Sequence, residues 1–165
     1  MIVVKVGGSL YDHPRLGEGL RAFATADMLF VPGGGPFADA VRTMDAVHAL
    51  GEEASHRVAL ASLIAAGAFL KSLVPTANVV DARAFCDRFP GLPASWGVTT
   101  DSIAAHVAVA VGGELVLLKS CELLPGMTWS AAAAAGMVDA YFPTAAAGVA
   151  VRVVNFRAML DRQKF

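Results

Sequence analysis

Charge is scarce in this chain. Of its 165 residues only 16% are Asp, Glu, Lys or Arg, and the formal net charge is −1. No global field gathers nucleic acid or an anionic membrane, so neither is expected as a partner, and any anion site must be local. Cysteine is scarcer. Cys86 and Cys121 lie far apart, match no metal or redox spacing, and read as reduced thiols of a cytosolic protein. No stretch reaches the roughly 18 uninterrupted apolar residues of a membrane span, because Gly, Lys, His or Glu cut the alanine-rich segments. No basic leader followed by an apolar run and a cleavage site opens the sequence, and a cytoplasmic location is expected. Two phosphate-binding signatures are also missing. There is no Walker loop, and Gly33-Gly34-Gly35 runs into Pro36 instead of the glycine spacing of a dinucleotide fingerprint.

What is present is apolar. Hydrophobic residues make up 56% of the chain, enough for one domain with a sizeable core, with part of that surface expected in a subunit interface of a homodimer or larger homo-oligomer. Ile2 to Val6 reads as a strand apolar on both faces, as in a parallel α/β sheet. Asp27 to Val31 reads as a second strand. A helix follows from Phe37 to about Leu50, and a longer one from Glu52 to about Leu73, which Pro75 ends. Asn78–Val80 reads as a short strand, Ala82 to Arg88 as a short helix, and Trp96-Gly97-Val98 as another short strand. Ile103 to Val111 is an apolar helix and Glu114 to Lys119 a strand. The alternation continues with a helix near Thr128 to Ala135, a strand Val149 to Val154 and a last helix from Phe156. This is one α/β unit with a mostly parallel sheet.

Four stretches carry chemistry. Lys5 with Gly7-Gly8-Ser9 brings a cation to the end of a strand, beside a loop whose amides can turn toward one anion. Gly33-Gly34-Gly35 lies between a strand and a helix, where three glycines cost entropy and a close ligand approach explains them better than a flexible turn. Thr99-Thr100-Asp101-Ser102 has the residue types of a helix cap. Lys119 ends a strand at the same sheet edge as both glycine loops. Lys5, Asp101 and Lys119 can therefore converge, with the carboxylate holding two lysines aimed at a phosphoryl group. On the helix after Gly35, Arg42 and Asp45 are three apart and can pair, or Arg42 can read an anion bidentately. His56 reads as a solvated or core-edge histidine with a substrate role as the alternative. His106 reads as packing or a subunit contact. Trp96 and Trp129 read as core or interface anchors.

In this order, these elements resemble the amino acid kinase family, which includes carbamate, acetylglutamate, aspartate, uridylate and isopentenyl phosphate kinases. The matching residues are Val4 to Ser9, Val31 to Asp39, Thr99 to Ala105 and Leu115 to Leu118. Within the family the chain looks most like the short archaeal-type members linked to methanopterin, which phosphorylate an aminomethyl-furan phosphate. Pro36 to Arg42, Asp45, His56 and Gly136 to Asp139 carry that likeness.

The resemblance implies a three-layer αβα sandwich of the carbamate kinase-like fold with a shortened C-terminal nucleotide half. Residues to about 92 would form the acceptor lobe and about 93–165 the nucleotide lobe. It implies Lys5 on the transferring phosphoryl group, with Asp101 organising Lys5 and Lys119. Gly7, Gly8, Ser9 and Ser102 would lie on ATP. Gly33, Gly34 and Gly35 would hold the acceptor's anionic group, with Arg42, Asp45 and His56 nearby. The cofactors would be ATP and Mg²⁺, the latter needing few protein ligands. The chain departs from the family in following its leucine-rich strand with Lys119-Ser120-Cys121, and its one later lysine is Lys164. Either Lys119 replaces the family's second lysine or the nucleotide site is incomplete. A kinase with a small phosphate- or carboxylate-bearing substrate is expected first, and a non-catalytic anion- or nucleotide-binding regulator on the same fold second.

Overall fold

The computed structural model describes residues 1–162. Five strands form one sheet: β1 (Ile2–Val6), β2 (Met28–Pro32), β3 (Asn78–Val79), β4 (Glu114–Lys119) and β5 (Val151–Asn155). Their order is β3-β2-β1-β4-β5, and each neighbouring pair is parallel. The connections are α1 (Leu16–Phe23), α2 (Gly35–His48), α3 (Glu52–Leu73), α4 (Ala82–Arg88), α5 (Thr100–Val111), α6 (Trp129–Ala134) and α7 (Phe142–Ala145), with α8 (Phe156–Arg162) after β5.

Strand side chains alternate between faces, and that alternation builds two cores. Val3 of β1 and Leu115 and Leu117 of β4 pack with Ile103, Ala104 and Val107 of α5. Val4, Val6, Val116 and Leu118 face the other way, onto Leu16 and Leu20 of α1 and Phe156 and Leu160 of α8. The sheet is thus the middle layer of three. The same parity sends Lys5 and Lys119 toward the α5 side.

The chain winds outward from β1 to β3, then crosses over to β4 and β5 on the other side of β1. The connection after β1 consequently packs on one face of the sheet, through Leu16 and Leu20, and the connection after β4 on the other, through Ala132 and Phe142. In an open parallel sheet such a reversal opens a crevice at the strand C-termini.

Three differences from the sequence reading bear on the site. Trp96-Gly97-Val98 is not a strand but part of a loop, held by its side chains and by the Tyr141 amide donating to the Gly97 carbonyl. Helix α5 starts at Thr100 rather than Ile103, which puts Asp101 in its first turn. Helix α2 starts at Gly35, with Pro36 in its first turn, where proline's missing N–H costs nothing. Helix α3, at 22 residues, is long and apolar enough by length and composition to cross a membrane, although no single uninterrupted apolar run does so. Here it buries Leu63 in one core and Leu70 in the other, and Ala66 is buried as well.

Candidate active site

Lys5, Asp101 and Lys119 meet. Lys119 Nζ donates to Asp101 Oδ2 at 2.6 Å. Lys5 Nζ lies 2.8 Å from Oδ1 as an ion pair rather than an aligned hydrogen bond. Lys5 is 5% exposed and Asp101 3%. Burial pushes the Asp101 carboxyl up, but the two ammonium groups outweigh that and hold it below the usual carboxylate range. Burial pushes the Lys119 ammonium down and the Lys5 charge adds to this, against the opposing pull of Asp101. Two cations share one carboxylate, so the cluster keeps a positive charge in a poorly solvated place.

The two glycine loops press against each other backbone to backbone. A Cβ on Gly8 would lie 2.2 Å from the Gly35 nitrogen, and one on Gly33 would lie 2.4 Å from both the Gly8 nitrogen and the Val6 oxygen. Gly35 also has φ +48°, a left-handed conformation that favours glycine. Part of the glycine content therefore serves loop-on-loop contact, where the sequence reading assigned it to a ligand. Gly33 in particular does not line the cleft, while Gly34 and Gly35 do. Tyr11 closes the contact from below by donating to the Gly33 carbonyl at 2.8 Å. Its ring packs edge-on to Phe69 at 5.1 Å, and burial pushes its phenol well up.

Above the cations is a cleft of about 520 Å³. Lys5, Lys119, Gly7, Gly8 and Ser9 line its floor, and Leu60, Leu63, Trp96, Val98 and Ile103 form an apolar wall. Arg42 and His56 line it too. Arg42 pairs with Asp39 at 2.7 Å, not with Asp45, and its guanidinium lies 4.9 Å from the centre of the Trp96 ring. Asp45 lies outside the lining and accepts from Trp96 Nε1 at 2.9 Å, which holds its carboxyl below the usual range. The i,i+3 spacing of Arg42 and Asp45 was a weak signal because Asp39 offers the same spacing on the other side. His56 is half-buried, and that burial lowers its pKa and favours the neutral ring.

Ser102 sits away from the cleft. It is fully buried, and its hydroxyl donates to Asp139 Oδ1 at 2.5 Å. His106 is a packing residue: its ring meets Phe85 edge-on at 5.6 Å and bonds the Phe89 carbonyl at 3.0 Å. Trp129 packs on Phe142 at 5.1 Å. Lys164 lies outside the described residues.

Three contributors carry no assigned role in the sequence analysis. Asp12 and Asp39 line the cleft, and Arg157 of α8 binds both the Ser9 carbonyl and the Asp12 carboxylate. Ser9 Oγ also meets Ser120 Oγ at 2.9 Å, joining the loops after β1 and β4. No periodicity or motif announces Arg157, whose contacts lie 145 or more residues away in sequence.

No family model matches the chain, and no curated protein matches it. Among solved structures it is similar to uridylate kinase from Archaeoglobus fulgidus, with a TM-score of 0.64 over 99% of this chain and 97% of that one, at 15% identity. A likeness at that identity speaks for architecture: the chain shares the α/β fold of that uridylate kinase, built here on five parallel strands.

Proposed function

We propose that the chain is an ATP- and Mg²⁺-dependent kinase that transfers the γ-phosphoryl group to a small acceptor bearing a phosphate or carboxylate. The observation that carries this reading is the Lys5–Asp101–Lys119 array on the floor of the cleft. Its uncompensated charge, shielded from water, calls for an anionic ligand. Asp12 and Asp39 do not supply that counter-charge, because each already pairs with an arginine.

In the transfer, an ionised acceptor oxygen forms a bond to the γ-phosphorus while the bond to the β,γ-bridging oxygen breaks, and ADP leaves with the electron pair. An acceptor ionised at neutral pH needs no general base. Lys5 and Lys119 stabilise charge on the group in flight, and Asp101 keeps both cationic and aimed. The Gly7–Ser9 amides serve the ATP phosphates. Gly34, Gly35, Arg42 and His56 serve the acceptor. Mg²⁺ neutralises nucleotide phosphate charge. Among the described residues no three His, Cys, Asp or Glu side chains come together, and Asp12, Asp39 and Asp101 all have cationic partners. This suits an ion that enters on the nucleotide and keeps its waters. In this reading residues to about 92, apart from Lys5 and the Gly7–Ser9 loop, serve the acceptor, and later ones, apart from Trp96, serve the nucleotide. One acceptor that fits is an aminomethyl-furan phosphate of tetrahydromethanopterin biosynthesis. Leu60, Leu63 and Trp96 offer its ring an apolar wall, and Arg42 offers its phosphate a cation.

The test is a calorimetric titration with ATP and Mg²⁺, followed by turnover assays with candidate acceptors. Binding in the millimolar range or tighter is expected, and no binding at millimolar ATP sinks the kinase reading. Lys5→Ala should lower turnover by at least about 100-fold with the fold intact. An unchanged rate would move the phosphoryl site elsewhere. Binding without turnover on any anionic acceptor leaves the regulatory reading.

A further inference from the structure

Asp139, between α6 and α7, has no part in the transfer just described, yet its carboxylate accepts five hydrogen bonds. Thr99 N and Thr99 Oγ1 donate to Oδ2 at 3.0 and 2.8 Å. Ser102 N donates to Oδ2 at 3.0 Å and Ser102 Oγ to Oδ1 at 2.5 Å. Tyr141 N donates to Oδ1 at 3.2 Å.

Thr99 is the N-cap of α5 but makes no side-chain cap bond to it. An N-cap hydroxyl ordinarily accepts from the amide of the third helical residue, here Ser102. That amide donates to Asp139 instead, and the Thr99 hydroxyl has become a donor to the same carboxylate. The cap of α5 is thus supplied in trans, from 40 residues away, as a full negative charge at the positive end of the helix. Asp101 is the residue immediately before Ser102. Successive helical residues point about 100° apart, so pinning Ser102 to one side sets where Asp101 points on the other.

We propose that Asp139 is a positioning residue for the phosphoryl site: by fixing the first turn of α5 it holds Asp101 between Lys5 and Lys119. The kinetic part of this inference rests on the kinase reading, and the geometric part does not.

The test uses Asp139→Asn in the full chain. Asparagine keeps the shape but exchanges one acceptor oxygen for a donor NH₂, so it cannot take all the donors Thr99 and Ser102 present. The first readout is the pH dependence of Lys119 acylation by acetic anhydride, followed by mass spectrometry without nucleotide. The charged or titratable groups facing Lys119 are Asp101 on α5, Lys5 on β1 and Cys121 in its own loop. If Asp101 drifts from its place, Lys119 loses its counter-charge and titrates at lower pH than in the parent protein. An unmoved titration overturns the proposal, whether or not the protein is a kinase. The second readout is kinetic. A misaimed Asp101 lowers kcat by about 100-fold, while KM for ATP moves by less than about threefold. A lower melting temperature with kcat unchanged would mean that Asp139 only caps the helix, and would also overturn the proposal. If Asp139→Asn does not fold, Thr99→Val removes a single donor. It should shift the Lys119 titration in the same direction by a smaller amount, and no shift overturns the proposal equally.

Discussion

At the scale of single residues, Asp101 is the pivot. Its folded-state pKa lies below the ordinary value because two lysines outweigh its burial. The sign of the pH dependence follows. A carboxylate with a depressed folded pKa contributes stability at pH values above its unfolded pKa of about 3.9, and that contribution is lost as pH falls through the folded value. Replacing it with Asn leaves two buried ammonium groups facing each other, at a cost of about 3–5 kcal/mol. Urea unfolding of Asp101→Asn at pH 7 measures this, and the difference from the parent protein should shrink on acidification below pH 4. A cost under about 1 kcal/mol would mean that the lysines find other partners. Much of this cluster was legible in the sequence. Lys119 ends an apolar strand and Lys5 lies one residue before the end of another, and both sit at odd positions on the side of Val3, Leu115 and Leu117. Ser102 was not legible in the same way. Its neighbour Asp101 faces the lysines, while its own partner Asp139 comes from a loop that no local pattern connects to α5.

At the scale of elements, the glycine loops make a sharper prediction than their composition did. Gly8→Ala places a methyl group on backbone atoms of Gly35 at 2.2–2.5 Å, where no side chain can move aside. The cost should reach about 3 kcal/mol or more. Gly112→Ala is the control. Its φ of +59° and ψ of +39° are left-handed and disfavour a side chain, but nothing lies within 4 Å of the added atom, so the cost is about 1–2 kcal/mol. Denaturation of the two variants compares them, and equal costs would mean that the loops separate easily. Strand–glycine–helix units were readable twice in the first 50 residues because period and punctuation change together. The segment at Trp96 misled because an aromatic and a valine around a glycine resemble a strand. What fixes it is Trp96 reaching back to Asp45 and Arg42 across 51 and 54 positions of chain.

At the scale of the whole molecule, the reversal of strand order beside β1 places the site. Alternating strands and helices in the sequence imply a parallel sheet, but not on which side of β1 the later strands add. That choice depends on which faces α3 and α5 bury, which is a long-range property. A ligand held at the reversal touches both sides of the sheet, so its binding should stabilise the chain as one unit. With ADP and Mg²⁺ at about 100 times Kd, unfolding should require about 2.7 kcal/mol more, seen as a single shifted transition in scanning calorimetry. A transition that splits in two would mean the sheet unfolds in halves.

The contact between Gly8, Gly33 and Gly35 has one more consequence. It joins the loop that would grip the donor to the loop that would grip the acceptor with no side chain between them, so the backbone itself is the ruler for the distance a phosphoryl group must cross. Substitutions at Arg42, His56, Leu60 or Trp96 can then re-shape the seat for a new acceptor while the gauge stays fixed. On the kinase reading, such a scaffold can change its acceptor without relearning how far to reach.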